Sequence, residues 1–323
     1  MGKKVLLTHE LPGQAIHELA QLCDLKVWPG PGPLDAARLR AELAGCQGLV
    51  CLLTDRVSRE LLDVTPDLEF VSSMSVGVDH IDVQAMTERG LPVGHTPGVL
   101  VDTTADAAFA LLLAAARRLG EADRFVRQGH WHAGSAWSPD FLTGKDVSGA
   151  TLGIIGLGAI GQAVARRAAG FGMRVLGWNR SPRAISGIEN ATLEELLQRS
   201  DFVSVHVGLA EGTRNLLDAR RIALMKPGAV LVNTARGGIV DEPALAEALS
   251  RGDLSAAGID VFAQEPVAAD NPLLALPNVV VTPHIGSATT LTRARMADLA
   301  ARNAMAALAG QPMPCCVNPQ VYD

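Results

Sequence analysis

Two hydrophobic rhythms alternate along the chain. Short unbroken aliphatic runs at residues 5–8, 48–53 and 70–74 have the length and flanking breaks of buried strands, while 14–22 and 34–43 carry apolar residues at helical spacing. The alternation resumes at 151–155, 173–178, 201–207, 229–233, 258–262 and 278–282, which read as further strands with helices between them. Thr192 with Glu195 makes a capping-box signature, and Asp241 with Pro243 marks another helix start. Strand, helix, strand repeated in this way predicts an α/β protein with mainly parallel, doubly wound sheets. Two longer helices, at 104–118 and 292–308, bracket the second set and carry the chain out of the first half and back into it. The expected organisation is a discontinuous domain of residues 1–100 and 288–323 around an inserted domain of 101–287, with a cleft between them for a small ligand.

One motif says what the inserted domain binds. Gly156-Leu157-Gly158-Ala159-Ile160-Gly161 follows the 151–155 run and opens an Ala-rich helical stretch, and a second strand arrives at 173–178. In that setting the first glycine permits a tight turn, the second lets a pyrophosphate approach the backbone, and the third lets helix pack closely on strand. This is the Rossmann dinucleotide fingerprint, and the free N–H groups of the helix start face the phosphates. An NAD site usually has Asp or Glu at the end of the second strand; here Asn179 stands there, followed by Arg180, Ser181 and Arg183. A carboxylate would repel a 2′-phosphate, whereas Arg180 can pair with one and Asn179 and Ser181 offer neutral hydrogen bonds. The expectation is NADP(H) as the preferred coenzyme, with NAD(H) as the alternative.

Composition narrows the remaining classes. The chain has 323 residues, 48% of them hydrophobic and 4% aromatic, enough for two aliphatic cores. A net charge of -6 gives no footprint for nucleic acid or an anionic membrane surface. The apolar run 107–116 is too short to span a bilayer, and the first residues lack the apolar length of a signal peptide, so a cytoplasmic protein is expected. Five cysteines (23, 46, 51, 315 and 316) show no ligand spacing, and an odd number argues against a disulfide framework. His130 and His132 have no Cys, Asp or Glu at useful spacing to complete a ligand set, so no metal is expected. His206, inside an apolar run, reads as a hydrogen-bonded core residue.

Three groups stand just after expected strands, at the sheet edge where doubly wound folds bind ligands: Arg236, Glu265 and His284. Each alone reads as a surface residue; together behind a dinucleotide fingerprint they read as chemistry. A guanidinium can grip a carboxylate in two parallel bonds, and an imidazole paired with a carboxylate is held in one tautomer as a proton donor.

Here the chain resembles the D-isomer-specific 2-hydroxyacid dehydrogenase family over nearly its whole length. The resemblance is carried by Met225-Lys226-Pro227-Gly228-Ala229, Arg236-Gly237-Gly238-Ile239-Val240-Asp241, Gly258-Ile259-Asp260-Val261-Phe262 with Glu265-Pro266, and Pro283-His284-Ile285-Gly286-Ser287. It implies a Rossmann domain inserted in a discontinuous, flavodoxin-like substrate domain. Arg236 would hold a 2-oxo acid, His284 would act as acid or base, and Glu265 would orient it. It further implies that the N–H groups of Val76 and Gly77 in Ser75-Val76-Gly77-Val78-Asp79 meet the substrate carboxylate, with Ser287 close by. Thr234, Ala235, Asp260 and Gly286 are implied to line the nicotinamide end of the coenzyme site, with Gly208 beside the coenzyme as a departure from the usual Pro or polar residue.

The neutral segment 72–77 disfavours a phosphorylated substrate, and Glu265 stands where formate dehydrogenase-like relatives have Gln. The chain is therefore most similar to the glyoxylate and hydroxypyruvate reductase branch, which includes 2-ketogluconate reductases. The stretch 129–144, with Trp131, Trp137 and Phe141, resembles a segment that in this branch reaches a partner subunit, so a homodimer is expected. Two alternatives carry the same motifs: a nucleotide-sensing corepressor acting as a binding module, and a phosphite-oxidising relative.

Overall fold

In the computed structural model, which describes residues 2–30, 32–134, 137–181 and 183–323, the chain forms two compact units. One is Met1–Leu100 with Ala288–Asp323, the other Val101–Ser287. The first begins β1 (Lys4–Leu7), α1 (Gln14–Leu22), β2 (Asp24–Val27), α2 (Ala36–Leu43), β3 (Gly48–Cys51), α3 (Arg59–Asp63), β4 (Phe70–Ser73), α4 (Val83–Glu88) and β5 (Val93–Gly94). Its five strands are parallel in the order β2-β1-β3-β4-β5, the flavodoxin-like order. Every residue of β3 and β4 is buried, which is why those runs are unbroken rather than alternating. The edge strand β2 is mostly exposed and carries no such run, so periodicity misses it.

The second unit comprises α5 (Val101–Ala116), α6 (Leu119–Arg127), β6 (Thr151–Ile155), α7 (Ala159–Gly170), β7 (Arg174–Trp178), β8 (Glu189–Asn190), α8 (Leu193–Arg199), β9 (Phe202–Val205), α9 (Ala219–Ile222), β10 (Ala229–Asn233), α10 (Glu242–Arg251), β11 (Leu254–Ile259) and β12 (Val279–Val281). Seven parallel strands run β12-β11-β10-β9-β6-β7-β8. The order reverses between β6 and β9, the switch point at which open α/β sheets take their ligands. Alternate residues feed two cores. Ile155, Val203 and Leu231 pack on one face with α8 and α10, and Ile154, Phe202 and Val230 on the other with α5 and α7. The capping box at Thr192 and Glu195 is formed, and Asp241 caps α10 through Ala244 N–H at 3.0 Å.

One strand differs from expectation. β11 starts at Leu254 and ends at Ile259, rather than running through 258–262. Its first half, Ser255-Ala256-Ala257, lacks the β-branched residues that mark strands in a sequence, yet it pairs along β10. Beyond Ile259 the side chain of Asp260 takes over the bonding. The last helix, α11 (Thr290–Leu308), belongs to the first unit, where it packs on α1, β3 and β4. The tail after it lies along β5: Val317 N–H donates to Val93 at 2.8 Å, and the buried Asn318 side chain accepts from Val93 N–H and donates to Leu91 O. Among the described residues no helix is long and apolar enough to cross a membrane.

Candidate active site

The glycine loop joins β6 to α7. Gly156 has φ +103°, and a Cβ there would lie 2.6 Å from the His206 carbonyl oxygen; at Gly161 it would lie 2.0 Å from Gly156 O. Both positions therefore demand glycine. Gly158 is different: an added Cβ would meet nothing within 4 Å, and the residue is the N-cap of α7, with Ala159 and Ile160 as its first helical residues. That open side, lined by unpaired N–H groups of a helix start, fits a pyrophosphate. A second open polar position lies two strands away on the same sheet. Thr234, after β10, is buried, and its Oγ1 has no hydrogen-bond partner among the described residues.

Around the loop the supports are internal. Leu157 N–H donates to Asn179 Oδ1 at 3.4 Å, and Asn179 Nδ2 donates to Ser181 O at 2.9 Å, so this carboxamide braces the loop and the turn after β7. Arg180 and Ser181 are exposed beside it. Gly208 O accepts from Thr213 Oγ1 at 2.7 Å, which closes the turn after β9. His206 pairs with Ser204 Oγ at 2.8 Å, and burial pushes its imidazole down to about 4.

The three charged groups meet at the same sheet edge. His284 Nδ1 lies 2.7 Å from Glu265 Oε2. Glu265 Oε1 accepts Phe262 N–H at 2.9 Å, and Arg236 is near enough for its charge to act on Glu265. Burial works to raise the Glu265 pKa. The hydrogen bonds from His284 and Phe262 N–H, with the charges of His284 and Arg236, outweigh it and leave the carboxyl below its ordinary range. Arg236 is half-buried; its Nη1 donates to Ala235 O, and Asn233 straps the turn by donating to Arg236 O at 2.8 Å and accepting from Ala235 N–H at 3.0 Å.

His284 has φ +54°, a left-handed conformation that a non-glycine residue adopts only when its surroundings impose it. Asp260 imposes it. Its carbonyl accepts His284 N–H at 2.8 Å, Oδ1 accepts Thr282 Oγ1 at 2.6 Å and Ile285 N–H at 2.8 Å, and Oδ2 accepts Gly286 N–H at 2.8 Å. Asp260 is 1% exposed and its carboxylate is committed to this loop. The resemblance places Asp260 and Gly286 at the coenzyme; within the protein they are the frame on which His284 is hung. Ser287 follows directly, at the end of this unit.

Val76 and Gly77 lie in the first unit, in the turn after β4. Ser75 Oγ donates to Gly77 O at 2.7 Å and meets Ser73 Oγ at 2.7 Å, while His95 Nδ1 lies 3.1 Å from Val76 O. The two carbonyls are thus anchored to the protein. Sequence reading missed Asn233, Thr282, Ser73 and Ser75, because a support is recognisable only once its partner is known.

Residues 109–286 match the family model for the NAD binding domain of D-isomer specific 2-hydroxyacid dehydrogenases. The chain belongs to this family. It is 46% identical to a glyoxylate reductase of Korarchaeum cryptofilum over 99% of this chain and 97% of that one. Among solved structures it is similar to the TT0316 protein of Thermus thermophilus, at 47% identity and TM-score 0.90, covering 97% of this chain and 99% of the other. It is also similar to an NADPH-dependent glyoxylate/hydroxypyruvate reductase of Sinorhizobium meliloti in complex with NADP and malonate, at 32% identity and TM-score 0.88, covering 99% and 98%. The family member described here is an NAD(P)-dependent dehydrogenase, and its coenzyme is a nicotinamide dinucleotide.

Proposed function

We propose that this dehydrogenase reduces small 2-oxo acids, glyoxylate and hydroxypyruvate first and 2-ketogluconate after them, to D-2-hydroxy acids, with NADPH preferred over NADH. The observation that carries the reading is the 2.7 Å contact of His284 Nδ1 with Glu265 Oε2, beside Arg236 and on the same sheet as the glycine loop. When bound, the nicotinamide supplies the hydride. Glu265 occupies Nδ1 of His284, so the proton passes to the substrate carbonyl oxygen from Nε2. Arg236 clamps the 2-oxo acid and polarises it, and the N–H groups of Val76 and Gly77 take its carboxylate. The named activities of the similar proteins support the choice of substrates, and the absence of a carboxylate at Asn179, with Arg180 beside it, supports the choice of NADPH.

The test is a rate screen of glyoxylate, hydroxypyruvate, 2-ketogluconate, pyruvate and phenylpyruvate against both nicotinamides. The expected result is rapid loss of NADPH absorbance with the first two, and a coenzyme preference that falls in Arg180→Ala. No loss with any 2-oxo acid would favour a sensor instead, and equal use of NADH would overturn the coenzyme preference.

We further propose that the protein works as a homodimer. α6 has no buried residue, and Leu119, Val126, Trp131 and Trp137 are 53%, 52%, 66% and 77% exposed on it and the stretch after it. An apolar surface of this kind suits a second copy of the same chain. Sedimentation should give twice the monomer mass of 33.8 kDa, and a monomer at micromolar concentration would reject the assignment.

A further inference from the structure

Glu242 has no part in the chemistry described so far. It is the first residue of α10, where a carboxylate usually faces water and favours the helix dipole from the surface. Here the side chain is buried, with the residue 9% exposed. Burying a carboxylate is unfavourable unless its lone pairs are taken up. They are: Oε1 accepts Ala263 N–H at 2.5 Å and Oε2 accepts Asn271 Nδ2 at 2.7 Å. Asn271 is itself fixed, since its Oδ1 accepts Leu273 N–H at 3.0 Å.

The two contacts bracket the segment that contains Glu265. They also tie it to the segment that contains Arg236. A Cβ on Gly237 would lie 1.8 Å from the Phe262 carbonyl carbon and 2.1 Å from Ala263 N, so the backbone after Arg236 rests directly on the Phe262–Ala263 peptide. One side of that peptide is thus pressed by Gly237, its Ala263 N–H is held by Glu242, and its neighbour Phe262 N–H is held by Glu265.

We propose that Glu242 is a positioning residue: its carboxylate clamps Ala263 and Asn271 so that Glu265 stays within hydrogen-bond reach of His284 Nδ1 and beside Arg236. The inference rests on the reading of His284 as proton donor and adds to it a group that touches neither substrate nor coenzyme.

The test compares Glu242→Ala and Glu242→Gln with the wild-type protein, using the best 2-oxo acid of the rate screen. In Glu242→Ala kcat should fall by about ten- to a hundredfold, the order expected when a catalytic group shifts by up to an ångström, while KM for the nicotinamide stays within about twofold. The acid limb of the kcat profile should move to higher pH. The charged groups acting on Glu265 are His284 and Arg236, and a loosened Glu265 loses the bonds from His284 and Phe262 N–H that hold its carboxyl low. Glu242→Gln should lie between: its carbonyl can accept Ala263 N–H, but its amide meets the Asn271 amide donor to donor. It also carries the test if the alanine variant does not fold. A folded variant of either kind with wild-type kcat, or with a lowered kcat and an unmoved acid limb, would overturn the proposal. Failure of the underlying reading is separate, because it shows as full turnover in His284→Ala.

Discussion

The two units are built alike and differ in what stands at the carboxyl ends of their strands. In the first, the groups that follow β1, β3 and β4 are hydroxyls and one buried carboxylate. Thr8 Oγ1 and Leu52 N–H both donate to Asp55 Oδ2, at 2.5 and 2.8 Å, and the hydroxyls of Ser73 and Ser75 pair above β4. In the second, Arg236 follows β10, Glu265 follows β11 and His284 follows β12, charged groups of which the last two meet at 2.7 Å. A parallel sheet delivers its loops to one edge in both cases. The proposed chemistry therefore comes from which side chains those loops carry, and not from the sheet.

The sharpest way to break this contrast is His284→Ala. Losing the proton donor should lower kcat by about two to four orders of magnitude with either nicotinamide, measured at saturating substrate. A loss below about tenfold would mean that the charged edge of the second unit is structural.

A much smaller effect should follow at the buried carboxylate of the first unit. Asp55 is 1% exposed, and burial raises its pKa despite the hydrogen bonds from Thr8 and Leu52 and the nearby charge of His9. A raised folded-state pKa means that the folded chain binds more protons than the unfolded chain across that interval. Its contribution to stability is therefore greatest below the ordinary carboxylate value and declines as pH rises through the raised one. Asp55→Asn carries no charge, and its carbonyl oxygen can accept both existing bonds. Denaturant unfolding should place it within about 1 kcal/mol of wild type at neutral pH, with its relative stability poorer in acid and turnover little changed. A loss above about 2 kcal/mol at neutral pH would show that the charge itself holds this edge together.

Much of the candidate site is legible along the chain because each proposed working group sits in a short contiguous motif. Gly156, Gly158 and Gly161 are constrained by the turn they make, and Arg236, Glu265 and His284 each follow a strand closely enough for the strand to locate them. The framework was less legible. β11 was placed too late because its first half is alanine-rich, and the two-residue strands β5 and β8 are too short for any period to register. The carboxamide of Asn179 also braces the glycine loop, a role the sequence does not announce because it depends on Leu157 being opposite it.

From residue order alone came the α/β class, the dinucleotide loop and the three charged groups after strands, since all of these follow from local periodicity and local turn chemistry. Tertiary structure alone decided that Asp260 holds His284 in a left-handed conformation and that Glu242 grips the Glu265 segment. Those contacts join groups 21 to 29 residues apart, and a hydrogen bond has no sequence signature until folding has brought its donor and acceptor within 3 Å.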